Sequence, residues 1–282
     1  MIISVTAPKK GLGQSVTVIN LGAALVQRLE KRTLLIDLNH HCLDLSHYLS
    51  DVSWTKGLDE YVNMREGGIP WREGEFRKCV KGINPLMDMM AANRCLALSP
   101  EDLGDLLEHT KSLYGITLVD TIGGSHALTQ EINKRADIVV VLLSQEARVL
   151  NLIREYGMYQ GIKEKVVFVV NRWMEAYHEE RVRFDLRTLG KAIRKMGFGD
   201  HRIFPLPFDP KLLNECNEST LLYFGFSQEC HNNAYHSALN HIVNHLIGLG
   251  VFEATENNLQ GISAKEPDRN PLLKLLQRWD GA

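Results

Sequence analysis

The sequence lacks the features that mark several large classes of protein. Its 282 residues contain no apolar run of about 18 residues, so no segment is predicted to span a membrane. The amino terminus lacks the long apolar core of a secretory signal peptide, and we therefore expect a cytoplasmic protein. The five cysteines are odd in number and form no C-x-x-C pair, which favours free thiols in a reducing compartment over a disulfide framework.

An excess of charge of either sign is also missing. The sequence has 32 Lys and Arg residues against 34 Asp and Glu residues, so its surface as a whole is not typical of a nucleic-acid-binding protein. Hydrophobic residues make up 44% of the chain, which is enough to bury a full core. The length predicts one large domain or two small ones, and the sequence contains no internal repeat.

Short apolar runs alternate with amphipathic segments along most of the chain. The runs predicted as strands are residues 1–6, 33–37, 85–91, 115–120, 138–143, 166–170 and 202–206. The segments predicted as helices are 16–29, 43–49, 58–65, 100–113, 132–136, 146–159, 184–195 and 221–249. This alternation predicts an α/β fold with a doubly wound, mainly parallel sheet and helices on both faces. Its functional site is expected at the carboxyl ends of the strands.

A glycine-rich turn joins the first predicted strand to the first predicted helix. It spans residues 7–15, APKKGLGQS. The backbone N–H groups of such a turn, together with the positive end of the helix dipole, form a site for phosphate. A working P-loop has the pattern G-x-x-x-x-G-K-[ST], and Gln14 occupies the position of its lysine.

Two further predicted strands end in a carboxylate, Asp37 in one and Asp120 in the other. Asp120 is followed by Thr121, Ile122 and two glycines. An aspartate at a strand end beside a P-loop holds Mg²⁺ through water, and the glycines that follow it can approach a γ-phosphate. Three strand ends with this chemistry, in this order, predict a nucleotide site.

These segments resemble the ParA/MinD family of P-loop ATPases, whose deviant Walker motif is K-G-G-x-G-K-[ST]. The degenerate motif is similar to those of TadZ/CpaE-like or MinD-like members. The resemblance covers the chain from residue 1 to about residue 250. Lys9 matches the signature lysine, which in relatives reaches the partner's nucleotide across a dimer, and Ser15 matches the Mg²⁺-binding hydroxyl. Lys10 replaces a family glycine, and Gln14 replaces the P-loop lysine.

The resemblance implies ATP (or ADP) and Mg²⁺ as cofactors. The implied nucleotide-binding residues are Lys9, Lys10, Gly11, Leu12, Gly13, Gln14, Ser15, Val16, Asn171, Arg172, Pro207 and Asp209. The implied catalytic residues are Asp37, Asn39 and Asp120, and the implied metal-binding residues are Ser15 and Asp120. Asn39 replaces a carboxylate that is associated with hydrolysis, and Gln14 brings no charge. We therefore expect nucleotide binding with weak or absent hydrolysis.

The end of the chain differs in composition from the domain predicted at residues 1–252. Residues 253–270 are polar and predict a flexible linker, and residues 271–282 predict a short amphipathic helix. Five apolar side chains fall within an arc of roughly 160°: Leu272, Leu273, Leu275, Leu276 and Trp279. Such a helix suits insertion into a bilayer surface, as in MinD-type relatives, and docking on the protein itself or on a partner stays open.

The resemblance implies a homodimer, located in the cytoplasm and peripherally at the inner face of the cell membrane, that positions or assembles a septum, pilus or secretion machinery with a protein partner. Two alternatives stay open: a DNA-partitioning or regulatory ATPase, and a nucleotide-free scaffold. DNA is the less favoured partner. That alternative depends on a basic run, Arg181, Arg183, Arg187, Lys191, Arg194 and Lys195, which three acidic residues dilute. A cluster of histidine, cysteine and aspartate at residues 40–47 matches no standard metal-ligand spacing.

Overall fold

The computed structural model describes residues 1–39, 44–49, 57–91, 98–177, 180–181, 184–199, 203–218 and 233–249. Contacts between residues divide the chain into a compact unit, Met1–Val251, and a terminal segment, Phe252–Ala282. The predicted linker and amphipathic helix lie outside the described residues, and both stay predictions. None of the described helices is long and apolar enough to cross a membrane.

Strands and helices alternate along most of the described chain, with α2–α4, β3–β4 and β7–β9 as consecutive elements of one kind. The strands are β1 (Ile2–Thr6), β2 (Thr33–Asp37), β3 (Lys81–Asn84), β4 (Met87–Ala91), β5 (Ile116–Asp120), β6 (Ile138–Leu143), β7 (Val166–Trp173), β8 (Ala176–Tyr177), β9 (Glu180–Arg181) and β10 (Ile203–Pro207). The helices are α1 (Gln14–Leu29), α2 (Asp44–Leu49), α3 (Leu58–Glu66), α4 (Glu73–Phe76), α5 (Pro100–Leu113), α6 (Ala127–Arg135), α7 (Ala147–Glu155), α8 (Leu186–Lys195), α9 (Lys211–Asn217) and α10 (Ala234–Gly248). Short 3₁₀ turns occupy Arg77–Cys79 and Gln160–Lys165.

An eight-stranded sheet in the order β10-β7-β6-β1-β5-β2-β4-β3 forms the centre of the protein. Its neighbouring strands are parallel except for β3, which is antiparallel to β4. Every residue of β1, β2, β5 and β6 is buried, as expected for parallel strands that helices cover on both faces. Helix α1 packs with α10, and α5 packs with α6. The predicted fold class is confirmed.

Helix α7 ends at Glu155, one turn before the predicted end at residue 159. Gly157 adopts a left-handed conformation with φ of +57°, and the N–H of Met158 donates to the carbonyl of Ile153 at 3.0 Å. A glycine in this conformation is a common end of a helix, because it has no side chain to clash with the preceding turn. The spacing of apolar residues over 146–159 continues past Gly157, so this spacing alone does not indicate where the helix ends.

Five short elements were not predicted from the sequence: β3, α4, β8, β9 and α9. Strand β3 is short and polar, and it pairs at the edge of the sheet, where a strand needs no continuous apolar run. Helix α9 begins directly after Pro210 and has no fully buried residue, so it carries little periodic signal. The helix predicted at 221–249 is described only from Ala234, and residues 219–232 lie outside the described part of the chain.

Candidate nucleotide site

The loop between β1 and α1 has the backbone geometry of an anion-binding turn. Gly11 and Gly13 both lie in the left-handed region, with φ of +82° and +85°. Gly13 is the residue before α1, and no side chain caps the first N–H groups of that helix. From the far side, Asn171 Nδ2 donates to the carbonyl oxygen of Leu12 at 2.8 Å. The loop is therefore fixed by a neighbouring strand end, and the amino terminus of α1 is left without a side-chain partner.

Alanine at the two loop glycines should separate backbone strain from crowding. A Cβ at Gly13 would lie 2.3 Å from Asn171 Nδ2, whereas a Cβ at Gly11 would meet nothing within 4 Å. We expect Gly11→Ala to cost about 1–2 kcal/mol of the free energy of unfolding, since it forces a left-handed alanine. Gly13→Ala should cost about 1–3 kcal/mol more, because Asn171 must also move. Urea denaturation of both variants checks this, and equal costs would contradict the crowding at Gly13.

The side chain of Gln14 points into the protein and is 9% exposed. Its Nε2 donates to the carbonyl oxygen of Thr121 at 3.0 Å, and the carbonyl oxygen of Val5 lies 3.5 Å away. A Cβ at Gly123 would lie 3.0 Å from Gln14 Oε1 and 3.2 Å from the backbone N of Lys10. The Gln14 amide thus links the loop between β1 and α1 to the segment after β5. Gly123 of that segment also lies directly against the loop.

The residues predicted to bind Mg²⁺ lie together. Ser15 Oγ donates to Asp120 Oδ2 at 2.5 Å in a buried contact. Asp37 and Asp120 end adjacent parallel strands and are direct partners in the strand register. Hard oxygen donors of this kind are the ligands that Mg²⁺ takes in proteins, usually with several waters and substrate phosphates. Ser15 and Asp120 therefore fit a Mg²⁺ site, with Asp37 beside them.

Burial is the largest influence on the pKa values of the two carboxylates, Asp37 and Asp120. It raises the pKa of Asp37 to about 7, against hydrogen bonds from the backbone N–H groups of Asn39 and Leu45, which lower it. Burial also raises the pKa of Asp120, the charge of Asp37 raises it further, and the Ser15 hydrogen bond lowers it. Two carboxylates this close favour sharing a proton or a cation.

The raised pKa of Asp37 predicts that the protein without Mg²⁺ loses stability as the pH rises. The folded pKa lies above the ordinary value of 3.8, so the folded state holds a proton that the unfolded state has released. The contribution is complete below about pH 4 and is lost as the pH rises through about 7. The melting temperature should fall across this window, and it should fall less in Asp37→Asn. Equal slopes in the two proteins would contradict the assignment.

Asn39 follows β2 and lies next to this pair. Its backbone N–H donates to Asp37 Oδ1 at 2.8 Å. Its side-chain oxygen is buried and has no hydrogen-bond partner among the described residues. The structure therefore brings Asn39 to the predicted site, and its part in catalysis stays a prediction.

Lys9 is paired within the same chain. Its Nζ donates to Glu146 Oε2 at 2.8 Å, and the side chains of Lys9 and Glu146 are 37% and 52% exposed. Ser144 Oγ donates to the other oxygen of Glu146 at 2.9 Å, and these two contacts, Lys9 first, lower the pKa of Glu146. Lys10, in contrast, is exposed.

The residues predicted on the base side of the nucleotide have other contacts. Asn171 binds the loop carbonyl of Leu12, and Arg172 is exposed with a left-handed φ of +53°. Asp209 is buried: its carboxylate accepts the backbone N–H of Lys211 at 2.9 Å and the side-chain amide of Asn233. Pro207 ends β10 and is the register partner of Trp173 in β7. These contacts give Asp209 a role in folding, and its contact with a base stays a prediction.

Sequence reasoning missed Glu146 and Thr121 as parts of the site. The sequence predicts Glu146 at the start of a helix, and the structure places it directly before α7, after β6 at the same sheet edge as Asp37 and Asp120. Its position after a central strand was the available signal. Thr121 contributes its backbone carbonyl. Every residue has such a group, so the residue type at position 121 could not indicate this contact.

No protein-family model matches the sequence, and no curated protein matches it. Solved structures do match. A ParA family ATPase from Chlorobium tepidum TLS superposes with a TM-score of 0.69 at 16% identity, covering 86% of this chain and 98% of that one. The MinC:MinD cell division complex of Aquifex aeolicus gives 0.68 at 19% identity, covering 94% and 98%. The septum site-determining protein MinD of Pyrococcus horikoshii OT3, complexed with Mg-ADP, gives 0.65 at 17% identity, covering 89% and 97%. The chain therefore has the fold of the ParA and MinD ATPases.

Proposed function

We propose that this protein binds ATP or ADP with Mg²⁺ in the loop between β1 and α1 and turns ATP over slowly or not at all. One observation carries the proposal: the Ser15–Asp120 pair lies at the start of α1, while the lysine position beside it holds a neutral amide bonded to Thr121. A Mg²⁺ ion there would supply charge neutralisation for the phosphates. Ser15 and Asp120 would hold it, and the loop N–H groups would orient the phosphates.

Weak hydrolysis follows from the two substituted positions. A neutral hydrogen bond stabilises developing charge about half as well as a charge-assisted one. One of the two N–H groups of the Gln14 amide also donates to a backbone carbonyl, that of Thr121, at 3.0 Å. Asn39 has no carboxylate to receive a proton from water, and such help contributes typically about 10²–10⁴ in rate.

We also propose that the protein forms a homodimer in which Lys9 reaches the nucleotide of the second copy. A half-exposed pair such as Lys9–Glu146 contributes about 0–1 kcal/mol, so little free energy is needed to release Lys9 toward a second copy. The solved structures of this fold include a complex between MinD and another protein, which supports a protein partner as well.

Acid extraction of the purified protein tests nucleotide binding. Perchloric acid releases bound nucleotide, which absorbance and mass then identify. We expect ATP or ADP at close to one per chain when the protein is purified with Mg²⁺, and much less when it is purified with EDTA. No nucleotide under either condition, in protein that also fails to bind added Mg-ATP, would favour the nucleotide-free scaffold.

We further propose that segment 271–279 binds a membrane surface and that the protein acts there in the machinery of a septum, pilus or secretion system. We expect that deleting residues 270–282 lowers binding to anionic liposomes by at least about tenfold in a sedimentation assay, because the deletion removes the five side chains of the predicted apolar face. Gln277→Ala, on the polar face, should leave binding unchanged. Equal binding by the full and shortened chains would contradict a membrane role for this segment.

DNA binding is the second candidate, and helix α8 is the observation that favours it. The helix contains no acidic residue, and four basic side chains on it are exposed, Arg187, Lys191, Arg194 and Lys195. If DNA is the partner, affinity falls when Arg187 and Lys191 become alanine, and it falls with salt. Binding that does not respond to either change excludes this candidate.

A further inference from the structure

Selection of one nucleotide base depends on side-chain hydrogen-bond groups that are available to the edge of that base. A site rejects a similar ligand strongly only when the wrong ligand leaves such groups unpaired. An asparagine, for example, reads adenine with its amide oxygen and nitrogen together, as a bidentate pair. The resemblance to the ParA/MinD family places Asn171, Arg172, Pro207 and Asp209 on the base side of the nucleotide. The contacts of these four residues therefore indicate how strongly a base can be selected.

Both polar atoms of the Asn171 amide already contact the same chain. Its Nδ2 donates to the carbonyl oxygen of Leu12 at 2.8 Å, and its Oδ1 accepts the backbone N–H of Arg172 at 2.9 Å. The amide nitrogen also lies against the phosphate loop, since a Cβ at Gly13 would be 2.3 Å from it. One N–H and one lone pair of the amide remain. The two bonds and the close contact with Gly13 hold the amide against the loop, which is the role of a positioning residue.

Asp209 is also occupied by contacts within the chain. The residue is 6% exposed. One of its carboxylate oxygens accepts the backbone N–H of Lys211, the first residue of α9, and the other accepts the side-chain amide of Asn233, directly before α10. Asp209 thus joins the starts of two helices. Pro207 has no N–H group, so its backbone cannot donate to a base.

Arg172 and Phe208 are exposed at this edge of the sheet. The N–H of Phe208 donates to the carbonyl oxygen of Trp173 at 3.4 Å, so Phe208 lies at the end of β7. An aromatic ring can stack on any base, because every base has a π-face. The guanidinium of Arg172 carries donors only, and the acceptor N7 is common to adenine and guanine. Contacts of these kinds add affinity without selecting adenine.

We propose that the nucleotide site selects the Mg²⁺-bound polyphosphate and not the base, so that ATP, GTP and CTP bind with similar affinity. This inference rests on the proposed nucleotide site. The loop N–H groups orient the phosphates, and Ser15 and Asp120 hold the metal, whichever base is attached. Asn171 then acts as a positioning residue for the loop. ATP found in the purified protein would reflect the abundance of ATP in cells.

Calorimetric titration of the full chain, freed of nucleotide with EDTA, tests this inference. The ligands are ATP, GTP and CTP, each with excess Mg²⁺. We expect their dissociation constants to agree within about fivefold. A larger preference for any one base overturns the inference and leaves the nucleotide site in place. If none of the three ligands binds, the proposed nucleotide site fails, and this inference fails with it.

Asn171→Ala separates positioning of the loop from reading of the base. Loss of the bond to Leu12 loosens the loop, so the affinities for ATP, GTP and CTP should all fall, by about tenfold. A fall for ATP alone would assign Asn171 to adenine and overturn the inference, and unchanged affinities would contradict its positioning role. Asn84→Ala is the matched control. Asn84 Oδ1 accepts the N–H of Leu86 at 2.9 Å in the turn before β4, at the opposite end of the sheet, so all three affinities should stay unchanged.

Discussion

Gln14→Lys should tighten the binding of Mg-ATP by about 10- to 100-fold, because a hydrogen bond from a charged donor contributes about 1.5–3 kcal/mol and each 1.4 kcal/mol is tenfold. Position 14 is the first residue of α1, directly after the left-handed Gly13, so a longer charged side chain there starts beside the helix amino terminus. Calorimetric titration of wild type and variant measures the change. ATP turnover should remain low in this variant, since Asn39 is unchanged.

Gln14→Met is the matched control for this substitution. It keeps the length of the side chain and removes the donor to Thr121 without adding charge. We expect it to bind Mg-ATP no more tightly than wild type. If lysine and methionine had the same effect on affinity, charge at position 14 would not act on the phosphates.

Asp120→Asn should remove the dependence of nucleotide binding on Mg²⁺. Asp120 is buried, accepts from Ser15 and pairs in register with Asp37. Asparagine removes the negative charge that the metal needs, and its carbonyl oxygen can still accept the hydrogen bond from Ser15. Changes to the supporting ligands of metal sites typically cost about 10- to 100-fold in affinity. The affinity for ATP in Mg²⁺ should fall by this factor and approach the affinity of wild type in EDTA, by the same titration.

Asp137→Asn provides the control for Asp120→Asn. Asp137 accepts the backbone N–H of Ile2 at 2.7 Å, at the opposite end of the central strands. This variant should keep the wild-type response to Mg²⁺. A Mg²⁺ effect that survives in Asp120→Asn would place the metal elsewhere.

The sequence was sufficient to predict the central sheet and the meeting of its strand ends. The apolar runs at 33–37, 115–120 and 138–143 are continuous, as buried parallel strands require, and β2, β5 and β6 follow them closely. Because parallel strands end at one edge, Asp37 and Asp120 were expected to lie together, and they are register partners. The resemblance to the ParA/MinD family implied Ser15 and Asp120 as metal-binding residues, and their side chains are hydrogen-bonded to each other.

The contacts that modify the site could not be predicted. The bonds Gln14–Thr121, Lys9–Glu146 and Asn171–Leu12 join residues 107, 137 and 159 positions apart. Local propensity carries no information at such separations, and a glutamine that faces phosphate has the same local sequence as one that faces a carbonyl. The length of α7 was mispredicted for a different reason, since one glycine overrides the apolar pattern around it.

Nucleotide binding without efficient turnover is most directly tested by following radiolabelled ATP on the purified protein. Stoichiometric protein and Mg-ATP are mixed, and bound ATP and ADP are separated over time after acid quenching. We expect saturable binding of Mg-ATP and bound nucleotide that remains ATP over hours. The absence of saturable binding, or rapid conversion to ADP that Asp120→Asn abolishes, would contradict the proposed function.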